Sequence, residues 1–267
     1  MSGRRGGAVL GSPIAHSLSP ALHQAAYDAL GLDGWTYRAV ECRADDLPSV
    51  LRSLDEEGLA GASLTMPLKQ AVVPMLASIE AVAKEVGGAN TVLFGPKRDQ
   101  WTGVNTDVPG MVDALSGLDL PDTATVLGAG ATAASAVVAL ATLGVRHLVV
   151  RARRPAAAAA LLPLAAGRGL VMEVEPWPAD PLDVELLVST VPAGAADALH
   201  VVDDLAGRVL FDVVYAPWPT PLAAAWSAAA GTVVGGLELL IAQAAHQVKL
   251  MTGHDAPLEA MRAAVTT

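Results

Sequence analysis

The sequence predicts an α/β protein of two domains, and three observations lead to this prediction. A length of 267 residues suits one large or two ordinary domains, which cluster at about 100 to 200 residues. Hydrophobic residues make up 52% of the chain and charged residues 16%, so it can bury a large core. Short apolar runs alternate with helical patterns, which is typical of strands joined by crossover helices in a mostly parallel sheet.

In the first half of the chain, the clearest element is a strand at residues 8–11 followed by a well-delimited helix. We expect Ser19 to be the N-cap of this helix, Pro20 to occupy its first position and Gly31 to end it. The other elements predicted here are strands at residues 36–40, 60–64, 91–94 and 100–104, and helices at residues 46–54 and 108–115.

In the second half, residues 123–145 contain no charged side chain, so a membrane span must be considered. Three glycines and several hydroxyl side chains in this segment indicate instead a buried strand at residues 125–127, a glycine turn and a buried helix. A second strand is predicted at residues 147–150, and the alanine-rich residues 155–167 are expected to form one crossover helix. The alternating series continues to about residue 234, and the last helices begin near Gly236.

The overall composition excludes several classes of protein. The formal net charge of -10 argues against a general affinity for nucleic acid. A single cysteine, Cys42, excludes an intrachain disulfide and a cysteine-rich zinc site. No metal-binding spacing of histidines and no export signal are visible, so we expect a cytoplasmic protein with no metal and no membrane attachment.

A glycine-rich turn, GAGATA at residues 128–133, follows a predicted strand and opens a predicted helix. This is the context in which the pattern indicates dinucleotide binding in a Rossmann-type domain. Gly128 permits a tight turn, Gly130 lets a pyrophosphate approach the backbone, and Ala133 allows close packing of helix and strand. The alternative is an ordinary packing turn.

Three arginines, Arg151, Arg153 and Arg154, follow about 20 residues after this turn, where an NAD-binding protein would place an acidic residue. Guanidinium groups suit a 2′-phosphate because they form forked, charged hydrogen bonds. The segment therefore favours NADP over NAD, the alternative being a solvated basic loop.

Lys69 and Asp107 are unusually isolated charges. Lys69 is the single charged residue in positions 58–79, and no other charge lies between Gln100 and Val112 apart from Asp107. Burying an ammonium group without a partner is costly, and a lysine and aspartate pair can serve acid and base chemistry. The alternatives are a structural ion pair or a helix cap.

Neutral polar residues in the first half and in the last helix supply further candidates for a binding site. Their hydroxyl and amide groups suit a small, polyhydroxylated and carboxylated ligand, although such residues also serve as turn and cap residues. They are Ser17, Ser19, Thr65, Asn90, Thr91, Asn105, Thr106 and Gln243, with His16 and His23 either near the site or forming local hydrogen bonds.

With these residues identified, the chain resembles the shikimate dehydrogenase family, in particular its actinobacterial type. The matching blocks occur in order over nearly the full length: GSPIAHSLSPALH (11–23), SLTMPLK (63–69), GGANT (87–91), GVNTD (103–107), GAGATA (128–133), STVPAG (189–194), DVVYAPWPTPL (212–222) and GGLELLIAQAAHQ (235–247). The resemblance implies reversible NADPH-dependent reduction of 3-dehydroshikimate to shikimate in the chorismate pathway, by a monomer or homodimer.

The resemblance also implies domains and site residues. It implies an α/β substrate-binding and catalytic domain at residues 1–106 and 237–267, and a Rossmann-type NADP-binding domain at residues 107–236. Lys69 and Asp107 would form the acid/base pair. Ser17 and Ser19 would bind the substrate carboxylate, and Thr65, Asn90, Asp107 and Gln243 the ring hydroxyls. Gly128, Ala129, Gly130 and Ala131 would line the pyrophosphate. Arg153 with a neighbouring arginine, Arg151 or Arg154, would bind the 2′-phosphate, and Tyr215 and Gly235 would border the nicotinamide.

The chain also departs from the family pattern. Ser63 stands where many members have Asn, Ala131 where a glycine is common, and the pair Glu238 and Leu239 where Gly-Met is frequent. Arg151 to Arg154 replace the usual Asn-Arg-Thr phosphate segment. Two alternatives remain: a quinate or aminoshikimate dehydrogenase on the same scaffold, and a non-catalytic NADP-binding regulator.

Overall fold

The computed structural model describes residues 3–266, which form two compact units. The first unit comprises the chain up to Gly110 and again from Leu240, and the second comprises Met111–Leu239. Each unit has its own sheet and its own hydrophobic core. The assignment of the substrate to the first unit and of NADP to the second remains a prediction.

Twelve strands are present in the described part of the chain. They are β1 (Gly7–Gly11), β2 (Tyr37–Glu41), β3 (Gly61–Leu64), β4 (Ser78–Ile79), β5 (Thr91–Phe94), β6 (Trp101–Val104), β7 (Thr123–Leu127), β8 (His147–Ala152), β9 (Val171–Pro176), β10 (Leu186–Ser189), β11 (Val209–Asp212) and β12 (Thr232–Gly235).

Eleven α-helices and one short 3₁₀ turn (Val73–Met75) accompany the strands in residues 3–266. The helices are α1 (Ser19–Ala29), α2 (Leu47–Glu56), α3 (Leu68–Ala71), α4 (Ala81–Val86), α5 (Asp107–Leu115), α6 (Ala131–Thr142), α7 (Pro155–Ala159), α8 (Leu162–Gly167), α9 (Pro221–Ala228), α10 (Gly236–Thr252) and α11 (Leu258–Ala263). Among the described helices, none combines the length and the apolar character that a membrane span requires.

The sheet of the first unit has the strand order β2, β1, β3, β5, β6, β4. β1 is parallel to both of its neighbours and β4 is parallel to β6, whereas β5 is antiparallel to β3 and β6. The turn GPKRD between β5 and β6 is too short for a crossover helix, so these two strands form a hairpin. Leu10, Leu64 and Val92 from the sheet are buried in one cluster with Leu47 and Leu51 of α2.

The sheet of the second unit has the order β12, β11, β10, β7, β8, β9, and every neighbouring pair is parallel. From β9 inwards this is the doubly wound order 3-2-1-4-5-6. The order reverses between β7 and β10, so ligands are expected beyond the carboxyl ends of these two strands. Trp226 of α9 is fully buried against Leu187 of β10 and Leu210 of β11 in the core of this unit.

Two local predictions are wrong. Leu18 and not Ser19 is the N-cap of α1, without a side-chain cap, because the backbone of Leu18 is already helical with φ -83 and ψ -5. Pro20 consequently takes the second helical position and not the first. The alanine-rich tract forms two short helices, α7 and α8, and not one. Pro163 falls in the first turn of α8, where its missing N–H is tolerated, but it could not lie inside a continuous helix.

Candidate active site

Lys69 and Asp107 form a partly buried ion pair. Lys69 lies in α3, which follows β3, and Asp107 is the first residue of α5, which follows β6. Lys69 Nζ is 2.6 Å from Asp107 Oδ2, and the two side chains are 15% and 7% exposed. The carbonyl of Lys69 accepts a hydrogen bond from the Ala89 amide at 2.8 Å, which ties α3 to the segment before β5. Two charges that are isolated in the sequence are therefore paired in the first unit.

Asp107 is free to face Lys69 because another residue caps its helix. Asn105 Oδ1 accepts a hydrogen bond from the Val108 amide at 3.1 Å, in the manner of a helix cap. The second carboxylate oxygen, Asp107 Oδ1, accepts from Asn90 Nδ2 at 2.9 Å. The alternative that Asp107 serves as a plain N-cap is thus not what the structure shows.

Lys69, Asp107 and Asn90 form a hydrogen-bond network, and two glutamines of α10 extend it from Asn90. Gln243 and Gln247 are four residues apart and so lie on one face of the helix. Gln247 Nε2 donates to Gln243 Oε1 at 2.7 Å and to Thr91 Oγ1 at 3.1 Å. Gln243 Oε1 is also 3.5 Å from Asn90 Nδ2, a weaker contact. Gln247 was not singled out from the sequence, although two amides at helical spacing in an apolar helix could have indicated it.

His23 is fully buried and connects to the same network. Its Nε2 is 3.1 Å from Gln247 Oε1, and its ring stacks on Tyr37 with a centroid separation of 3.8 Å. Burial lowers the pKa of His23 to about 4, and the hydrogen bond with Gln247 raises it only partly back. The imidazole is therefore neutral at pH 7. The Tyr37 hydroxyl is hydrogen-bonded to Ser63 Oγ, so the serine that departs from the family pattern is part of this buried cluster.

Ser17, Ser19 and Thr65 lie beyond the carboxyl ends of the parallel strands β1 and β3. The Thr65 amide donates to the carbonyl of Leu10 at 2.9 Å, which ties the first residue after β3 to β1. Within residues 3–266, no hydrogen bond joins these three side chains to Lys69 or Asp107. The structure therefore places Ser17, Ser19 and Thr65 at one edge of the sheet without drawing them into the network.

In the second unit, the glycine turn lies where the strand order reverses. Gly128 has φ +108, and an added Cβ would lie 2.6 Å from Thr190 Oγ1, beyond the end of β10. Gly130 is the N-cap of α6 without a side-chain cap, and an added Cβ there would meet no atom within 4 Å. Ala133 is fully buried, as close packing of helix and strand requires. The backbone amides that open α6 are thus available to an anion, which fits a pyrophosphate.

The structure separates the three arginines after β7. Arg151 in β8 forms an ion pair with Glu175 of the neighbouring β9, with Arg151 Nη2 and Glu175 Oε2 2.6 Å apart. The sequence near the arginines contains no carboxylate, but in the fold Glu175 of the next strand supplies one to Arg151. Arg153 and Arg154 follow at the end of β8 and are exposed, and neither forms an ion pair within residues 3–266. These two are therefore the guanidinium groups available to a phosphate.

Tyr215 and Gly235 belong to the segments after β11 and at the end of β12. Asp212, the last residue of β11, accepts from the Val214 amide at 3.2 Å and from Thr220 Oγ1 at 2.8 Å. These bonds close the loop that contains Tyr215, and burial raises the pKa of the Asp212 carboxyl. At Gly235, an added Cβ would lie 2.8 Å from the ring of Trp218, so a larger residue would require this exposed ring to move.

Comparison with known proteins identifies the family. Residues 9–92 match the family described as the shikimate dehydrogenase substrate binding domain, and residues 236–266 match the shikimate 5'-dehydrogenase C-terminal domain. The shikimate dehydrogenase (NADP(+)) of Synechococcus sp. strain JA-3-3Ab is 36% identical over 96% of this chain and 91% of its own length. The chain belongs to the shikimate dehydrogenase family.

Solved structures of shikimate dehydrogenases have the same fold. The Mycobacterium tuberculosis enzyme superposes with a TM-score of 0.86 at 42% identity and covers 97% of this chain and 98% of its own. The Thermus thermophilus enzyme, in complex with NADP(H) and shikimate, has a TM-score of 0.82 at 33% identity and covers 97% of this chain and 98% of its own. The predicted family and the predicted α/β fold class are confirmed.

Proposed function

We propose that this shikimate dehydrogenase family member catalyses the reversible NADPH-dependent reduction of 3-dehydroshikimate to shikimate. The proposal is carried by the Lys69–Asp107 pair at 2.6 Å, because it places a proton donor and its carboxylate partner in a buried polar cluster. It is supported by relatives named as NADP(+)-dependent shikimate dehydrogenases and by a similar structure that contains NADP(H) and shikimate.

In this proposal, the first unit binds the substrate. Ser17 and Ser19 bind the carboxylate of the substrate. Its ring hydroxyls are bound by Thr65, Asn90, Asp107 and Gln243. Hydroxyl, amide and carboxylate groups offer both the donors and the acceptors that a ring bearing several hydroxyls requires.

We expect a cytoplasmic enzyme that acts as a monomer or homodimer.

NADP is assigned to the second unit. The backbone at Gly128, Ala129, Gly130 and Ala131 would hold the pyrophosphate, because the first amides of a helix have no partner within the helix and Gly130 has open space around it. The Gly128 amide itself donates to the Arg151 carbonyl at 2.9 Å, so Gly128 would supply the tight turn. Arg153 and Arg154 would hold the 2′-phosphate. Arg151, which Glu175 neutralises, would instead position the end of β8. Tyr215 and Gly235 would border the nicotinamide.

The bound cofactor supplies the hydride, and the chain supplies the proton. As negative charge develops on the carbonyl oxygen of the substrate, the Lys69 ammonium stabilises it and donates a proton to it. Asp107 holds the ammonium in place, and Asn90 holds Asp107 through its other oxygen. In the reverse direction, Lys69 accepts the proton of the substrate hydroxyl. General acid catalysis of this kind contributes about 10²- to 10⁴-fold in rate.

The direct test is the oxidation of shikimate with NADP⁺, followed by the absorbance of the NADPH formed. Repeating the assay with NAD⁺, with quinate and with aminoshikimate separates the proposed reaction from its alternatives on the same scaffold. A higher kcat/KM for quinate or aminoshikimate than for shikimate would assign a different substrate. NADPH binding without turnover of any of them would indicate a non-catalytic regulator.

A second test addresses Lys69. We expect Lys69→Ala to lose more than about 90% of turnover, because general acid catalysis contributes about 10²-fold or more. Lys69→Arg keeps the positive charge but cannot surrender its proton, so it should also be strongly impaired. Lys84→Ala, which removes an exposed lysine of α4, is the matched control. Retention of more than about a tenth of turnover by Lys69→Ala would contradict the assignment of Lys69 as the acid.

A further inference from the structure

The buried imidazole of His23 has a hydrogen-bond partner on one side only. Nε2 lies 3.1 Å from Gln247 Oε1, whereas Nδ1 is buried and has no partner within residues 3–266. A buried N–H group without an acceptor is rarer and more costly than an unused lone pair. The ring proton of the neutral imidazole therefore lies on Nε2, which donates to Gln247 Oε1.

The opposite end of the network is consistent with the same orientation. The backbone N–H of Thr106 can only donate, and it lies 2.8 Å from Asn90 Oδ1, so this amide atom is the oxygen. Thr91 Oγ1 can donate its single proton to Asn90 Oδ1 at 3.0 Å. It then accepts from Gln247, whose Nε2 is 3.1 Å away. The Thr91 hydroxyl can donate or accept, so its end accommodates this orientation, whereas the Nε2 proton of His23 selects it: the Gln247 oxygen faces His23 and its nitrogen faces Thr91.

The orientation of Gln247, together with the carbonyl of Leu240, determines what Gln243 can offer to a ligand. Gln247 Nε2 donates to Gln243 Oε1 at 2.7 Å, so this oxygen is already engaged as an acceptor. Gln243 Nε2 donates one of its two protons to the carbonyl of Leu240 at 3.0 Å. One N–H of Gln243 remains. Gln243 Oε1 also lies 3.5 Å from Asn90 Nδ2 and from Thr106 Oγ1, so its second lone pair faces the network as well, and the group that Gln243 can offer to a ligand is the N–H.

We propose that His23 is a positioning residue for substrate recognition: its Nε2 proton holds Gln247 in the orientation that makes Gln243 an N–H donor to a ring hydroxyl oxygen of shikimate. This proposal rests on the proposed function of the site. His23 is fully buried and acts through Gln247, so its removal should affect the binding of substrate and not the proton transfer at Lys69. It also accounts for a buried histidine that the reaction itself does not use.

Two substitutions at position 23 separate the hydrogen bond from the packing. His23→Phe keeps an aromatic ring against Tyr37 but removes the donor, whereas His23→Gln places an amide N–H near the position of Nε2. We expect His23→Phe to raise KM for shikimate about 10-fold, the value of one neutral hydrogen bond. Its kcat and its KM for NADP⁺ should change by less than about 3-fold, and His23→Gln should restore KM to within about 3-fold of wild type.

Two further variants complete the comparison. Gln247→Leu removes the Nε2 donor to Gln243 while His23 remains, so it should raise KM for shikimate as His23→Phe does. It provides the test if His23→Phe does not fold. His147→Gln, which removes an exposed histidine at the start of β8, is the matched control. A KM for shikimate within about 2-fold of wild type in folded His23→Phe or Gln247→Leu overturns the proposal.

The tautomer can be measured without any assay of activity. Long-range ¹H–¹⁵N spectra of the histidine rings, with the His23 signals assigned by their absence from His23→Gln, should show a neutral ring protonated at Nε2 at neutral pH. A proton on Nδ1, or a charged ring, overturns the proposal. If the wild-type enzyme shows the Nε2 tautomer but does not oxidise shikimate, the proposed function fails and with it the assignment of shikimate as the ligand of Gln243.

Discussion

Acidification should destabilise the protein through the buried imidazole of His23. Burial lowers the pKa of His23 in the folded state to about 4, and the Gln247 hydrogen bond opposes this only in part. In the unfolded chain the pKa returns to about 6.5. The stability tied to the neutral ring is thus fully present above about pH 6.5 and is lost as the pH falls towards about 4, because in that window the unfolded state binds one more proton.

The size of the effect follows from these two pKa values. The free energy of unfolding should fall by about 1.4 kcal/mol per pH unit within the window, which amounts to about 2 kcal/mol between about pH 7.5 and about pH 5. Tyr27 and Tyr37, the titratable side chains whose rings pack against His23, stay neutral because burial raises their pKa values. The predicted loss in the free energy of unfolding is therefore attributed to protonation of the His23 imidazole alone.

The assay is urea-induced unfolding, followed by circular dichroism, of wild type and of His23→Gln at both pH values. The variant has no titrating group at position 23, while the other carboxylates and histidines titrate alike in both proteins. We expect wild type to lose about 2 kcal/mol more than His23→Gln on acidification. Equal losses in the two proteins, within about 0.5 kcal/mol, would refute the reasoning that the ring is held neutral by burial.

Three further predictions concern other parts of the chain. The double substitution Arg153→Ala and Arg154→Ala should raise KM for NADP⁺ about 100-fold and leave KM for NAD⁺ nearly unchanged, because each charged hydrogen bond is worth about 1.5 to 3 kcal/mol. Gly128→Ala should lower the free energy of unfolding by about 1 to 3 kcal/mol and weaken NADP⁺ binding in a titration, because φ is +108 there. Arg4 forms an ion pair with the buried Asp55, which also accepts hydrogen bonds from Trp101 Nε1 and the Asp99 amide. Arg4→Met should cost about 3 to 5 kcal/mol in urea unfolding, because it leaves this buried carboxylate without its charged partner.

Each of these three variants has a matched control. Arg146→Ala removes an exposed arginine before β8. An equal rise in KM for NADP⁺ in this variant would indicate that the overall positive charge matters, and not a contact with the phosphate. Gly144→Ala has φ +97 and shares the backbone strain, so it should also lose stability, but it should leave NADP⁺ binding unchanged. An equal weakening of NADP⁺ binding in Gly144→Ala would remove any special role of the turn at Gly128. Arg38→Ala breaks an exposed pair with Glu57, which should be worth less than about 1 kcal/mol. If Arg4→Met lost no more free energy of unfolding than Arg38→Ala, the assignment of a buried, strongly stabilising Arg4–Asp55 pair would be wrong.

Much of the order of elements could be predicted because local signals determine it. Strand β5 has the predicted bounds, β1 and β3 differ from prediction by one residue, and the uncharged residues 123–145 contain the predicted strand and helix. Glycine stops, proline starts and apolar alternation act within a few residues of chain, so they can be read from the sequence. The helices and the short strand in residues 65–90 were not predicted, because these elements are too short to show a period.

For the binding and catalytic residues, the sequence determined which groups are unusual, and the tertiary structure decided what they contact. The isolation of Lys69 and Asp107 indicated buried charges that need partners, since an unpaired buried charge is too costly to keep. Their 2.6 Å contact, and the bond from His23 to a glutamine 224 positions away, depend on strand order and on the rotation of α10. Hydrogen bonds are directional and short, so small displacements of whole elements decide them, and no local pattern in the chain encodes those displacements.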